Sequence, residues 1–345
     1  MRIAQLAPLT EPVPPRGYGG TELVVSLLTE ELVARGHEVT LFASGDARTS
    51  ARLVSVVDTA LRTSADIPER RWMAYDIRSL LKLEEMQSEF DIVHNHMGWQ
   101  ALPALSSWKP PTVTTNHNLV KDYCAPIYLA LRELPYVSIS NAYRQFNYPD
   151  ILNYVATVYN GIDVDSFDSP GERQRSYLLF IGRLCADKGT AEAIEMARRL
   201  GLPLKIAGKV DANDLEYYEA KVKPHLQAPT IEYVGEVDHA QKVSLYRQAI
   251  AVVYPITFEE PFGLVMAESL ASGTPVVALA RGSVREVLDE NTAIIGNSID
   301  ELINQFPRLQ MITEAACKSR ARELFSKEQM AAAYERVYAR LSELC

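Results

Sequence analysis

Short apolar runs alternate with longer stretches in which apolar residues recur at helical spacing, from one end of the chain to the other. In the first half, residues 3–7, 38–43, 91–95, 112–115, 136–140 and 155–158 read as strands, and 21–35 as a helix stopped by Gly36. In the second half the predicted strands are 177–181, 204–207, 231–234, 251–254 and 275–279. The longest apolar run, 249–256, reads as a buried strand and falls far short of the ~20 residues that cross a membrane. A last helix is predicted from about Lys327 to Leu344, with Met330, Tyr334, Val337, Tyr338 and Leu341 on one face. Strand–helix alternation of this kind implies parallel sheets covered on both faces, a doubly wound α/β architecture.

A polar stretch with Pro170 and Gly171, between Asn160 and Arg175, separates two halves of similar size. This predicts a Rossmann-like domain over 1–160 and a second over 161–326, with 327–345 as a terminal helix. Open sheets of this type take ligands at the carboxyl ends of their strands. The residues that matter should therefore follow strands.

At 345 residues, 47% apolar and 23% charged, the chain can bury two ordinary cores. Its net charge of -9 excludes a general nucleic-acid binder but leaves room for a local phosphate site. The N-terminal apolar run is broken by Pro8 and Glu11, so it does not read as a signal peptide. Four cysteines show no CxxC spacing, and free thiols in a cytoplasmic protein are the expectation.

Three loops and one histidine group carry candidate chemistry. Gly17-Tyr18-Gly19-Gly20-Thr21 opens the first helix, where free amides can hold a phosphate. The plainer reading is a turn with Thr21 as N-cap. Glycines at 17, 19 and 20 do not make the GxGxxG dinucleotide fingerprint. Gly182-Arg183-Leu184-Cys185-Ala186-Asp187-Lys188-Gly189 places two cations where a helix begins, which opposes the helix dipole unless an anion joins them. Glu260-Pro261-Phe262-Gly263-Leu264-Val265 follows a strand: Glu260 suits sugar hydroxyls, and the amides of Gly263–Val265 suit phosphate oxygens. Glu268 lies further along the same helix beside Val265, Ala267 and Leu270. His94 and His96 end one strand and share a face, and His117 ends the next. No further ligands at suitable spacing support zinc, and His117 ranks above His96, and His96 above His94, as a site residue. Asp163-Val164-Asp165 spells a metal-binding DxD triplet, but it lies in the linker and reads as a chance match.

Taken in order, Gly19-Gly20, Gly182-Arg183…Lys188-Gly189 and Glu260-Pro261-Phe262-Gly263…Glu268 resemble family 4 of the retaining GT-B glycosyltransferases. So do Asp91-Ile92-Val93-His94-Asn95-His96, Asn160-Gly161-Ile162-Asp163 and Ala271-Ser272-Gly273-Thr274-Pro275-Val276-Val277. The resemblance spans nearly the whole chain. It departs at Ala280-Arg281-Gly282-Ser283-Val284-Arg285-Glu286, which has fewer glycines than usual, and at Thr292-Ala293-Ile294-Ile295-Gly296.

The resemblance implies two Rossmann-like domains facing a cleft, with 327–345 packing back on the first. It implies that Arg183 and Lys188 neutralise a donor diphosphate, beside Gly182 and Phe262. Glu260 would hold sugar hydroxyls and Glu268 the ribose. The amides of Gly19, Gly20, Gly263, Leu264 and Val265 would hold phosphates. His117 would sit by the donor sugar, with His96 and Thr21 on the acceptor side. The implied reaction transfers a hexose from a nucleotide sugar, UDP-glucose first and GDP-mannose next. The acceptor would be a small molecule, glycan or lipid-linked hydroxyl, and neither metal nor cofactor is expected. An epimerase, a phosphorylase or a silent scaffold of the same fold are the rival readings.

Overall fold

The computed structural model describes residues 1–17, 19–168 and 173–343; Tyr18, residues 169–172 and the last two residues, Leu344 and Cys345, lie outside it. Among the described residues the chain forms two compact units, Met1–Gly161 with Lys327–Cys345, and Ile162–Ser326.

The first unit is built on a seven-stranded sheet. Its strands are β1 (Arg2–Leu6), β2 (Glu38–Phe42), β3 (Arg52–Val54), β4 (Ile92–Asn95), β5 (Thr112–Asn116), β6 (Tyr136–Ser138) and β7 (Tyr154–Thr157), in the order β3-β2-β1-β4-β5-β6-β7. Every pairing is parallel. Successive strand residues point to opposite faces, and the two faces differ in character. Ala4, Leu6 and Val93 join Leu80, Leu83 and Met86 of the helix Trp72–Met86 in one apolar cluster. Gln5 and His94 point the other way and meet Tyr338 of the helix Lys327–Ser342.

The second unit carries β8 (Tyr177–Ile181), β9 (Leu204–Ala207), β10 (Ile231–Gly235), β11 (Ala249–Tyr254), β12 (Val276–Leu279) and β13 (Ala293–Gly296). The order β10-β9-β8-β11-β12-β13 is again all parallel. Leu178, Phe180, Ile206, Val253 and Val277 form its core with Ala193, Ile194 and Ala197 of the helix Thr190–Leu200.

In each sheet the strand order reverses at one point: between β1 and β4, and between β8 and β11. A crevice opens at the carboxyl ends of the strands where such a reversal occurs. Those ends carry Gly19–Thr21 and His96 in the first unit, and Arg183–Lys188 and Glu260 in the second.

Two short strands escaped the hydrophobic pattern, β3 and β13. β3 is a three-residue edge strand that begins at an exposed Arg52, and β13 spans four residues.

Candidate functional site

In the second unit, the loops after β8 and β11 are tied together. Thr257 N–H donates to the Asp187 carbonyl at 2.9 Å. Gly189, at φ +74°, lies so close to β11 that a Cβ there would stand 2.0 Å from the Pro255 carbonyl oxygen. Only glycine combines that backbone with that approach. The result sets Lys188 against the β11 loop: its Nζ is 2.8 Å from Glu260 Oε2. The Tyr254 hydroxyl donates to the same oxygen at 2.5 Å, and the Phe258 ring lies 4.5 Å from the ammonium. Glu260 is buried.

The backbone of that loop is gripped from the far side. Ser283 N–H donates to the Glu260 carbonyl and Ser283 Oγ–H to the Phe262 carbonyl, both at 2.9 Å. Gly282, at φ +53°, would place a Cβ 2.3 Å from Glu260 O. The segment 280–286, poor in glycine, keeps a glycine at this contact.

Gly263, left-handed at φ +79°, caps the helix Leu264–Ala271 without a side-chain bond, so Leu264 and Val265 begin the helix and Gly263 precedes it. Glu268 is buried on that helix. Lys242 Nζ donates to its Oε1 at 2.5 Å and the Tyr246 hydroxyl to its Oε2 at 2.9 Å.

Arg183 pairs with Asp211 at 3.5 Å and Asp214 at 3.4 Å, and Lys209 joins Asp211 at 2.8 Å. The expectation that Arg183 and Lys188 stand where a helix begins holds for Lys188, next to the N-cap Gly189, and is corrected for Arg183. The left-handed Gly189 delays the helix to Thr190, and both cations lie in the loop ahead of it, each with carboxylate partners. Asp165 of the DxD triplet is engaged by Arg322 at 2.9 Å.

In the first unit, the reading of Thr21 as N-cap is also corrected. Gly19 occupies that position, with no side-chain cap, and Gly20 and Thr21 lie within the helix Gly20–Ala34. A Cβ at Gly19 would meet Pro15 Cβ at 2.7 Å. Glu22, buried in the first turn, has its carboxyl pushed up to about 7 by burial, with Glu11 adding to the effect.

The three histidines form one polar network, buried at His94 and His96 and half-buried at His117. His96 Nδ1 is 2.9 Å from His117 Nε2, and His96 Nε2 is 2.8 Å from Gln5 Oε1. His94 contacts Tyr338 and Thr115, each at 2.7 Å. Burial holds His94 and His96 well below the usual imidazole range and lowers His117 to about 4, so all three are neutral at pH 7.

Of the residues singled out in the sequence, the structure joins Lys188 with Glu260 and His96 with His117, while Arg183 and Glu268 keep separate partner sets. Gln5, Lys242, Tyr246, Tyr254, Phe258, Asp211 and Asp214 were missed. Lys242 and Tyr246 stand four apart on the helix His239–Gln248, a spacing that puts them on one face; the others become visible only through contacts made in the folded chain.

Residues 162–322 match the model of glycosyl transferases group 1, and residues 18–166 that of glycosyltransferase family 4. Phosphatidyl-myo-inositol mannosyltransferase of Mycobacterium tuberculosis is 26% identical over 323 residues, covering 84% of this chain and 80% of the relative. Glycogen synthase of the same organism is 34% identical over 145 residues, covering 40% and 34%. Sucrose-phosphate synthase from Thermosynechococcus elongatus superposes with a TM-score of 0.83 at 19% identity over 100% of both chains. Anabaena HepE, solved with UDP and glucose, superposes with 0.75 at 16% identity over 98% of this chain and 99% of its own. Both sheets, their strand orders and these superpositions define the GT-B fold. The two family matches, which together run from residue 18 to residue 322, make the chain a glycosyltransferase of family 4.

Proposed function

We propose that this glycosyltransferase is a retaining hexosyltransferase that needs no metal, with UDP-glucose as first donor and GDP-mannose as second. The observation that carries the reading is the Lys188–Glu260 contact at the carboxyl ends of β8 and β11. An ammonium has three donors. Lys188 can keep one on Glu260 and turn the others to a departing diphosphate, so a sugar-holding carboxylate and a leaving-group cation act side by side. Arg183 adds a second cation, and the uncapped amides at Leu264 and Val265 add a helix terminus. Charge that develops on the phosphate as the sugar bond breaks meets groups already in place.

In this reading Glu260 binds donor-sugar hydroxyls, Glu268 the ribose, and His117 lies by the sugar. His96 and Thr21 serve the acceptor side, and the departing phosphate takes the acceptor proton on the same face. A relative that is a mannosyltransferase and a protein of the same fold solved with UDP and glucose support a hexosyl nucleotide donor. The acceptor hydroxyl belongs to a small molecule, a glycan or a lipid-linked sugar. Cys124, Cys185 and Cys317 are free and buried, which supports a cytoplasmic site of action.

The test is a thermal-shift screen of UDP, GDP and ADP, followed by incubation with the matching sugar nucleotides with and without acceptors. Stabilisation by one nucleotide, then nucleotide release that depends on acceptor, supports the reading. Isomerised donor without acceptor points to an epimerase, release driven by inorganic phosphate to a phosphorylase, and no binding at all to a silent scaffold.

A further inference from the structure

The polar centre of the first unit contains a chain of contacts that runs from the terminal helix to His117. Gln5 Nε2 donates to the Tyr338 hydroxyl at 3.1 Å. That hydroxyl lies 2.7 Å from His94 Nδ1, and His94 Nε2 lies 2.7 Å from Thr115 Oγ1. On its other side, Gln5 Oε1 faces His96 Nε2 at 2.8 Å, and His96 Nδ1 faces His117 Nε2 at 2.9 Å. Gln5, His94, His96 and Tyr338 are all buried.

The amide orientation decides where every proton lies. Oε1 can only accept, so His96 carries its proton on Nε2. A neutral His96 then has a bare Nδ1, which can only accept. His117 must therefore donate from Nε2, which leaves His117 Nδ1 without a proton. On the opposite side, the Tyr338 hydroxyl accepts from the amide and gives its own proton to His94 Nδ1. With the amide in this orientation, one proton order satisfies each of these contacts.

We infer that Gln5 and Tyr338 are positioning residues that fix His117 as the Nε2–H tautomer, through His96, so that its Nδ1 is presented as a hydrogen-bond acceptor. Among the described residues no side chain takes that nitrogen. It suits a hydroxyl donor, and it would repel a second acceptor. The inference rests on the reading of His117 as a donor-sugar neighbour for its effect on rate, though not for the tautomer itself. It makes His117 an orienter of one sugar hydroxyl, neutral throughout the reaction, with the tautomer chosen by the other ring nitrogen's bond.

The experiment uses the full chain labelled with ¹⁵N. Two-bond ring correlations report which nitrogen of each histidine holds the proton, and the spectrum of His117→Gln identifies the His117 signals. The wild-type His117 should show protonated Nε2 and bare Nδ1. Tyr338→Phe keeps the ring but frees the Gln5 amide to turn over, and Gln5→Leu removes the amide altogether. Both should shift His117 toward a mixture of tautomers. Turnover should fall on the order of tenfold while the affinity for UDP or GDP, whichever binds, stays within about twofold, since only orientation at the sugar is lost.

A merely structural role for either residue would lower the melting temperature without moving the His117 signals. A proton on His117 Nδ1 in the wild type overturns the inference. So does an unchanged tautomer in both variants. If His117→Ala retains full transfer activity, the placement of His117 at the sugar fails, while the ring-nitrogen spectra still decide the relay.

Discussion

Lys188 and Glu260 stand 72 positions apart in the chain, yet Lys188 Nζ and Glu260 Oε2 are 2.8 Å apart. The proposed phosphate cation and the proposed sugar carboxylate are thus one electrostatic unit, and substitution at either reaches the other.

Replacing Glu260 by Gln frees Lys188 from its anionic partner. Nucleoside-diphosphate binding should be kept or strengthened, while sugar transfer falls roughly a hundredfold or more, about 3 kcal/mol of transition-state stabilisation. Lys188→Met should lose both and also destabilise the fold by about 3 kcal/mol, because a buried carboxylate is left without its cation. Calorimetry of nucleotide binding beside transfer rates checks this. Equal loss of nucleotide binding in both variants would remove Glu260 from the sugar.

Arg183 is held by Asp211 and Asp214. Binding of a diphosphate has to draw the guanidinium from these carboxylates or share it with them. Asp214→Asn should therefore bind nucleoside diphosphate more tightly, by roughly 0.5–1 kcal/mol as for partly exposed ion pairs. Weaker binding in this variant would mean that Asp214 aims Arg183 at the phosphate instead of competing for it.

Gly189 and Gly201 both have left-handed backbones, at φ +74° and +66°. They differ in surroundings: a Cβ at Gly189 meets the Pro255 carbonyl, while one at Gly201 meets nothing within 4 Å. Gly201→Ala should cost only the backbone term, about 1 kcal/mol. Gly189→Ala should cost roughly 3 kcal/mol or more and disturb the Lys188 loop. Urea unfolding midpoints read the first difference and nucleotide affinity the second. Equal midpoints would show that the β11 loop yields freely.

Glu22, with its carboxyl raised to about 7, gives a pH signature of known sign. Between the unfolded value near 4.5 and about 7, the folded state binds more protons, so stability falls as pH rises through that window. Glu22→Gln removes the effect and should be stabilising relative to wild type at pH 8, by up to about 3 kcal/mol, and near neutral at pH 5. The buried histidines act in the opposite sense. Their folded values lie below 6.5, so they withdraw stability as pH falls below it. Melting curves of both proteins from pH 5 to 8 separate the two contributions, and a pH-independent difference would contradict the raised Glu22.

In the proposed reading Arg183, Lys188 and the helix amides take the role a metal would play on the diphosphate, so turnover should be unaffected by a chelator. Loss of activity in chelator that magnesium or manganese restores would overturn this.

Most strands of both sheets were legible because apolar residues concentrate in them between Gly, Pro or charged positions. Residues 177–181 and 204–207 coincide with β8 and β9. β3 was not legible, because an edge strand of three half-exposed residues has no hydrophobic signature. The loops bearing Lys188, Glu260 and His117 could be found, since they follow strands. What they touch could not. Gln5 and Tyr338 are separated by 333 positions, and nothing in the local pattern of either announces a partner. Nor could the left-handed turn at Gly189 be seen, since it packs against Pro255, just past β11 and far away in the chain.

The helix Lys327–Ser342 belongs to the first unit although the whole second unit precedes it in the chain. The order of synthesis therefore runs against the order of completion. Residues 162–326 are contiguous and can close their sheet as soon as β13 has been made. The N-terminal unit, begun first, must wait with His94 Nδ1 and Gln5 Nε2 short of their Tyr338 partner until that residue leaves the ribosome. A nascent chain from which residue 326 has emerged and Tyr338 has not would hold a finished C-terminal unit and an N-terminal sheet with its polar centre open to water, the stretch of its life in which a chaperone has most to shield.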